Sequence, residues 1–127
     1  MEQATRIPFK DLHDTFEGIL VQHGLQKQDA HACAGVFAGN SLDGVYSHGF
    51  NRFAKFIQYL DQGLIIAHKK AEKRFGAGSI EQWDGQLGPG PLNALLCTER
   101  SMELASQYGM GCVALANTNH WMRGGTY

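Results

Sequence analysis

The chain has 127 residues and a mass of 14.0 kDa, with 43% hydrophobic and 18% charged residues, which is the balance of about one soluble globular domain and not of a disordered segment. Eleven Lys and Arg stand against twelve Asp and Glu, for a net charge of -1, and the basic residues Lys69, Lys70, Lys73 and Arg74 form no long block, so neither nucleic acid nor an anionic membrane is expected as partner. No apolar stretch approaches the roughly 20 residues of a membrane span, the amino end Met1 to Asp11 lacks an apolar signal segment, and a cytoplasmic protein is expected.

In chain order, Phe9, Leu12, Phe16, Ile19 and Leu20 fall at helical spacing between Pro8 and His23, and Gly24 is placed to stop that helix. A second helix is expected from Asp29 to about Asp43 on Ala30, Cys33, Ala34, Phe37 and Ala38, closed by Gly44 and packed antiparallel to the first. Phe53, Phe56, Ile57 and Leu60 mark a third helix to Gln62, ended by Gly63, with Ser47 available to accept an unpaired N–H near its start. Glu72–Phe75 and Ile80–Trp83 read as short strands divided by a turn at Gly76-Ala77-Gly78. Pro91–Tyr108 returns to helix, with Leu92, Leu95, Leu96, Met102, Leu104 and Ala105 expected inside and Gly109 as terminator. The apolar run Cys112–Ala116 suits a buried central strand whose neighbours would come from the continuation, so an exposed apolar strand edge is expected on this chain by itself. The pattern predicts an α/β (α+β) fold: three helices, then the start of a mixed sheet with a packed helix.

Cys33, Cys97 and Cys112 are odd in number and lack CxxC spacing, as expected for buried free thiols in a reducing compartment. His13, His23, His31 and His68 share no spacing with acidic or thiol ligands, so no metal site is expected and structural or surface roles are assigned to them. Gly85-Gln86-Leu87-Gly88-Pro89-Gly90-Pro91 lies between a strand and a helix, where backbone N–H groups can cradle a phosphate, but it matches neither a P-loop nor G-x-G-x-x-G and is read as a turn leading into a helix.

Two segments carry candidate chemistry. Ser47-His48-Gly49-Phe50-Asn51-Arg52 offers a hydroxyl, an imidazole and a guanidinium at a helix start. On a helix, the i, i+4 spacing of His48 and Arg52 would place proton exchange with a carbonyl oxygen beside a bidentate grip on a carboxylate, which fits an oxo or hydroxy acid. Helix-start packing of His48 with a solvated Arg52 satisfies the same spacing. Asn117-Thr118-Asn119-His120-Trp121-Met122-Arg123-Gly124-Gly125 follows a strand, where binding residues gather. There His120 can bond a substrate or orient a cofactor ring, Asn119 can fix its tautomer, and Trp121 with Met122 can form an apolar wall. A polar turn with a surface Trp is the plainer alternative. The chain stops at Gly124-Gly125-Thr126-Tyr127, directly after this loop, and is therefore read as a piece whose continuation completes the site.

Gly44-Val45-Tyr46-Ser47-His48-Gly49 followed by Asn51-Arg52-Phe53, then Ile80-Glu81-Gln82-Trp83-Asp84, then Ala116 to Gly125 with Asn119-His120-Trp121-Met122-Arg123-Gly124-Gly125 resemble the malate/L-lactate dehydrogenase family, whose NAD-binding fold is not Rossmann. The resemblance covers essentially the whole chain. It implies hydride transfer between NAD(P)H and a 2-oxo acid, such as a 2-oxo sugar acid, with His48 as the catalytic general acid/base, Ser47 positioning it, Arg52 near the substrate carboxylate and His120 lining the pocket beside substrate and nicotinamide. It further implies NAD (NADH) as cofactor, with NADP an option, and a homodimer for the full-length enzymes. Family members are much longer, so the chain corresponds to an amino-terminal part: residues 1–66 as the helical segment with the His motif, 67–127 as the beginning of an incomplete nicotinamide-binding domain, most cofactor contacts lying beyond Tyr127. Three functional classes stay open: such a reductase or a part of one that is inactive alone, a cofactor-independent acid/base enzyme using His48, and a non-catalytic binding module.

Overall fold

A computed structural model of the chain describes residues 5–127; residues 1–4, part of the amino end read above as lacking a signal segment, lie outside the described residues. Helices α1 (Phe9–Gln22), α2 (Lys27–Leu42) and α3 (Phe50–Asp61) come first, as expected. Gly24, Gly44 and Gly63 follow them in left-handed conformations, which a residue with a Cβ adopts only at a cost. The helices bury a cluster of aromatic rings. Phe16 stacks on Phe53 at 3.9 Å between centroids, and Phe37 meets Phe53 and Phe56 edge-on at 5.2 Å each. Leu92 and Met122 reach into this core from the second half of the chain.

Strands β1 (Glu72–Ala77) and β2 (Ile80–Asp84) pair antiparallel, and β3 (Cys112–Ala116) joins β2 in parallel after the crossover helix α4 (Gly90–Tyr108). The turn sits at Gly78-Ser79 and not at Gly76-Ala77-Gly78: β1 continues through Ala77 because its register shifts between Lys73 and Phe75, which carries the pairing two residues further. β2 is held from inside by a carboxylate. Glu81 is 1% exposed and accepts hydrogen bonds from Lys73 Nζ (2.7 Å), Trp83 Nε1 (2.8 Å) and Arg100 Nε and Nη2 (3.0 and 2.8 Å). Bonds from Arg100 first, then Lys73, hold its carboxyl far below the usual carboxylate range despite burial.

In the sheet half the open apolar edge expected of Cys112–Ala116 is seen, whereas the burial expected of Cys112 and of part of the α4 stripe is not met. Cys112–Ala116 is an edge strand with one face uncovered, so Cys112, Ala114 and Ala116 are exposed, and Cys112 is a surface thiol while Cys33 and Cys97 are buried. In α4, Leu92, Cys97 and Leu104 form the buried stripe; Met102, on the opposite side from Leu104, is 59% exposed, and Leu95, Leu96 and Ala105 are half-buried. An apolar run records that burial is favourable, not which neighbour supplies it. Among the described residues, no helix is long and apolar enough to cross a membrane.

Candidate functional site

Beyond α2 the chain turns at Gly44 and makes a short 3-10 turn, Tyr46–His48, before α3. His48 is therefore not on one helix with Arg52: Gly49, at φ -118° and ψ -121°, separates the turn carrying His48 from the first turn of α3 carrying Arg52. A Cβ at Gly49 would collide with Ser41 and the Phe37 carbonyl, so glycine is what lets the start of α3 press onto α2. Ser47 does not cap α3. Ser41 Oγ does so, accepting the Phe50 N–H at 2.8 Å, while Ser47 Oγ lies 3.0 Å from His48 Nδ1.

His120 reaches the same place from the far end of the chain. Its ring centroid lies 5.5 Å from that of His48. Partial burial foremost, then the charges of Arg52 and His48, push its pKa below the usual histidine value and favour the neutral imidazole. The Met122 N–H donates to its Nδ1 at 2.8 Å, which fixes Nδ1 as acceptor and leaves Nε2–H to point elsewhere. Met122 N–H thus performs the role expected of Asn119. Trp121 and Met122 form no common wall: Met122, at φ 70°, sinks its side chain into the helical core at 4% exposure, and Trp121 stays 43% exposed.

Buried amides hold the two segments together. Asn40, 1% exposed, donates from Nδ2 to the His48 carbonyl (2.9 Å) and accepts at Oδ1 from the Thr126 hydroxyl (2.7 Å). Arg123 Nη2 adds an ion pair with Asp43 at 2.6 Å. Asn93, fully buried, accepts the Ala71 N–H (2.8 Å) and donates to the Gly85 carbonyl and Thr118 Oγ1 (3.0 Å each). Asn40 and Asn93 belong to no motif in the sequence; their one signal is a lone amide inside an apolar helical run, which must find bonding partners if it is buried. The glycine-rich segment is a tight crossing. Gln86 and Leu87 have positive φ (52° and 58°), and a Cβ at Gly90 would strike the Asn119 and His120 carbonyls. The start of α4 is thus filled by the loop that carries His120.

The result is an open surface with Ser47 and His120 exposed and His48 and Arg52 half-buried, two imidazoles and a guanidinium gathered from three segments. Residues 7–127 match the family model for malate/L-lactate dehydrogenase. A 2,3-diketo-L-gulonate reductase of Klebsiella pneumoniae is 48% identical over 122 residues, 96% of this chain but 37% of that protein, and one of Escherichia coli is 47% identical over the same span. The chain thus spans little more than a third of the length of these relatives. The malate dehydrogenase of Pyrococcus horikoshii superposes with a TM-score of 0.93 at 26% identity, over 97% of this chain and 35% of that one. Sulfolactate dehydrogenase of Methanocaldococcus jannaschii gives 0.92 at 28%, over 95% and 35%. With helices, sheet order and the His48 and His120 segments all inside the matched span, the chain belongs to the malate/L-lactate dehydrogenase family.

Proposed function

We propose that the chain forms the proton-transfer part of an NAD(P)H-dependent reductase of 2-oxo acids, with a 2-oxo sugar acid of the 2,3-diketo-L-gulonate type as substrate. The observation that carries this reading is the 5.5 Å approach of the His48 and His120 rings, with Arg52 close enough to act on His120. Similarity to relatives named for that reduction supports it.

Ser47 engages His48 Nδ1, so Nε2 is the atom left to give a proton to the substrate carbonyl oxygen. A nicotinamide held beside these residues would supply hydride chemistry at the carbonyl carbon. Arg52 grips the carboxylate with its planar fork. His120, biased toward its neutral form, offers its Nε2–H to a substrate oxygen. These donors fit the reacting end of the cofactor, with His120 assigned to it. The diphosphate has no cradle at the start of α4, where the Asn119 and His120 carbonyls occupy the space. In this reading residues 67–127 begin the nicotinamide-binding part, the remaining contacts belong to the portion by which the relatives are longer, and the complete enzyme is a homodimer.

The test is a chimera in which this chain is completed by the remaining portion of the Klebsiella pneumoniae relative, assayed by NADH oxidation with 2,3-diketo-L-gulonate. His48→Ala lowers kcat by about 100- to 10,000-fold. Arg52→Lys acts mainly on KM, because lysine keeps the charge and loses the fork. Near-normal kcat in His48→Ala returns His48 to a helix-start role.

A further inference from the structure

A second group of chemistry-bearing side chains lies where α1 meets α2, made of residues the site above does not use. His13 and Glu17 stand one helical turn apart on α1, and His31 comes from α2. One ligand-capable atom from each lies within 4.8 Å of the others. His31 Nδ1 is 2.8 Å from Glu17 Oε2, and His13 Nδ1 is 3.9 Å from the same oxygen. The sequence spacing alone concealed this trio, because His31 joins it only through the packing of the two helices.

The orientation of His13 gives the group its meaning. Its Nε2 faces the His31 carbonyl at 3.2 Å, and a ring nitrogen facing a carbonyl oxygen must carry the proton. Its Nδ1 then turns a lone pair toward Glu17 Oε2 and toward Asp14 Oδ1, the latter at 3.4 Å. A lone pair set against two carboxylates calls for a positive charge between them. A proton on Nδ1 supplies one; a divalent ion supplies it while also using His31 Nδ1 and the Glu17 oxygen. Zinc bonds of about 2.0–2.1 Å place tetrahedral ligand atoms roughly 3.3 Å apart, a value the 2.8 and 3.9 Å separations straddle. A ring N–H donated to a backbone carbonyl is also the usual support for a metal-binding imidazole. Asp14 is a neighbour more than a ligand, since Lys10 holds its other oxygen. The side chains of His13 and Glu17 are 10% and 18% exposed and that of His31 is 68% exposed, so two ligands are fixed and the third closes from solvent.

We propose that His13, Glu17 and His31 form a binding site for a divalent ion of the zinc class, with water in the fourth position, which clips α1 to α2. The experiment uses this chain carrying Cys112→Ser, so that the exposed thiol cannot bind metal, freed of metal with a chelator and titrated calorimetrically with zinc chloride. One ion binds per chain, and saturating zinc raises Tm by about 5 °C or more. His31→Ala, at a solvent-facing position, weakens binding by about 100-fold, at or beyond what loss of a supporting partner costs, and abolishes the Tm rise. Glu17→Gln does the same, and cobalt bound in place of zinc shows no thiolate charge-transfer band. The proposal is overturned if the parent binds no zinc once Cys112 is replaced, or if both variants bind as tightly as the parent.

Discussion

The helical half and the sheet half of this molecule are ordered by different means. In α1–α3, Phe37 and Leu20 are wholly buried, Phe56 is 1% exposed, and the rings of Phe16, Phe37, Phe53 and Phe56 touch one another, so apolar burial against its own neighbours does the work. In β1–β3 every residue of β1 is exposed and alternate residues of β3 face water, while the interior position of β2 is taken by Glu81 and its cationic partners. Within these residues one helix, α4, packs on the sheet and one face stays open, while the buried Glu81 carboxylate ties β2 to Lys73 and Arg100. The candidate site lies on the seam, with His48 from one half and His120 from the other.

Truncating the helical core gives the largest effect. Phe37→Ala costs about 3–5 kcal/mol in a urea titration, because it opens a cavity among three other rings. A cost near zero would mean the two halves do not differ in the way described.

Removing the charge that holds the sheet comes next. Glu81→Gln costs about 2 kcal/mol, less than a fully buried pair because Lys73 and Arg100 are 47% and 32% exposed and regain water. Its pH signature is specific. The folded carboxyl titrates below the ordinary value of 4.5, so its contribution is complete above that value and is lost as pH falls beneath it. Stability of the parent therefore drops in acid with a component that Glu81→Gln lacks; equal slopes in both proteins would refute the pairing.

At the seam, Asn40→Ala costs about 1–2 kcal/mol by removing both bonds of a buried amide. In nitrogen-detected NMR it also frees the His48 turn from the Thr126 loop, whereas unchanged His48 and His120 signals would show that the amide does not join them. In the parent, the His120 titration midpoint lies below 6.5 with Nδ1 unprotonated in the neutral form.

The smallest change in stability attends labelling of the sheet's open face. One thiol, Cys112, reacts with an alkylating reagent in the folded chain, and all three react in denaturant. Burial pushes the Cys33 thiol pKa far up and raises that of Cys97, which adds chemical protection to the steric kind. Prompt native labelling of Cys33 would show the helical core to be open.

What the sequence determined by itself was local: helical periodicity in α1–α4, the glycine stops after them, the strand pairs around Gly78, and the residue types gathered at Ser47-His48 and His120. These follow from chain neighbours a few residues apart, where spacing and backbone preference act directly. Tertiary structure alone decided which residues meet across long stretches of chain. It set Ser41 instead of Ser47 at the start of α3, a Met122 N–H instead of Asn119 on His120, and Asn40 between His48 and Thr126. It likewise decided that Cys112 of β3 and Met102 of α4 would face water, because burial depends on which surfaces the fold has available to cover a side chain, and an apolar residue carries no record of those surfaces.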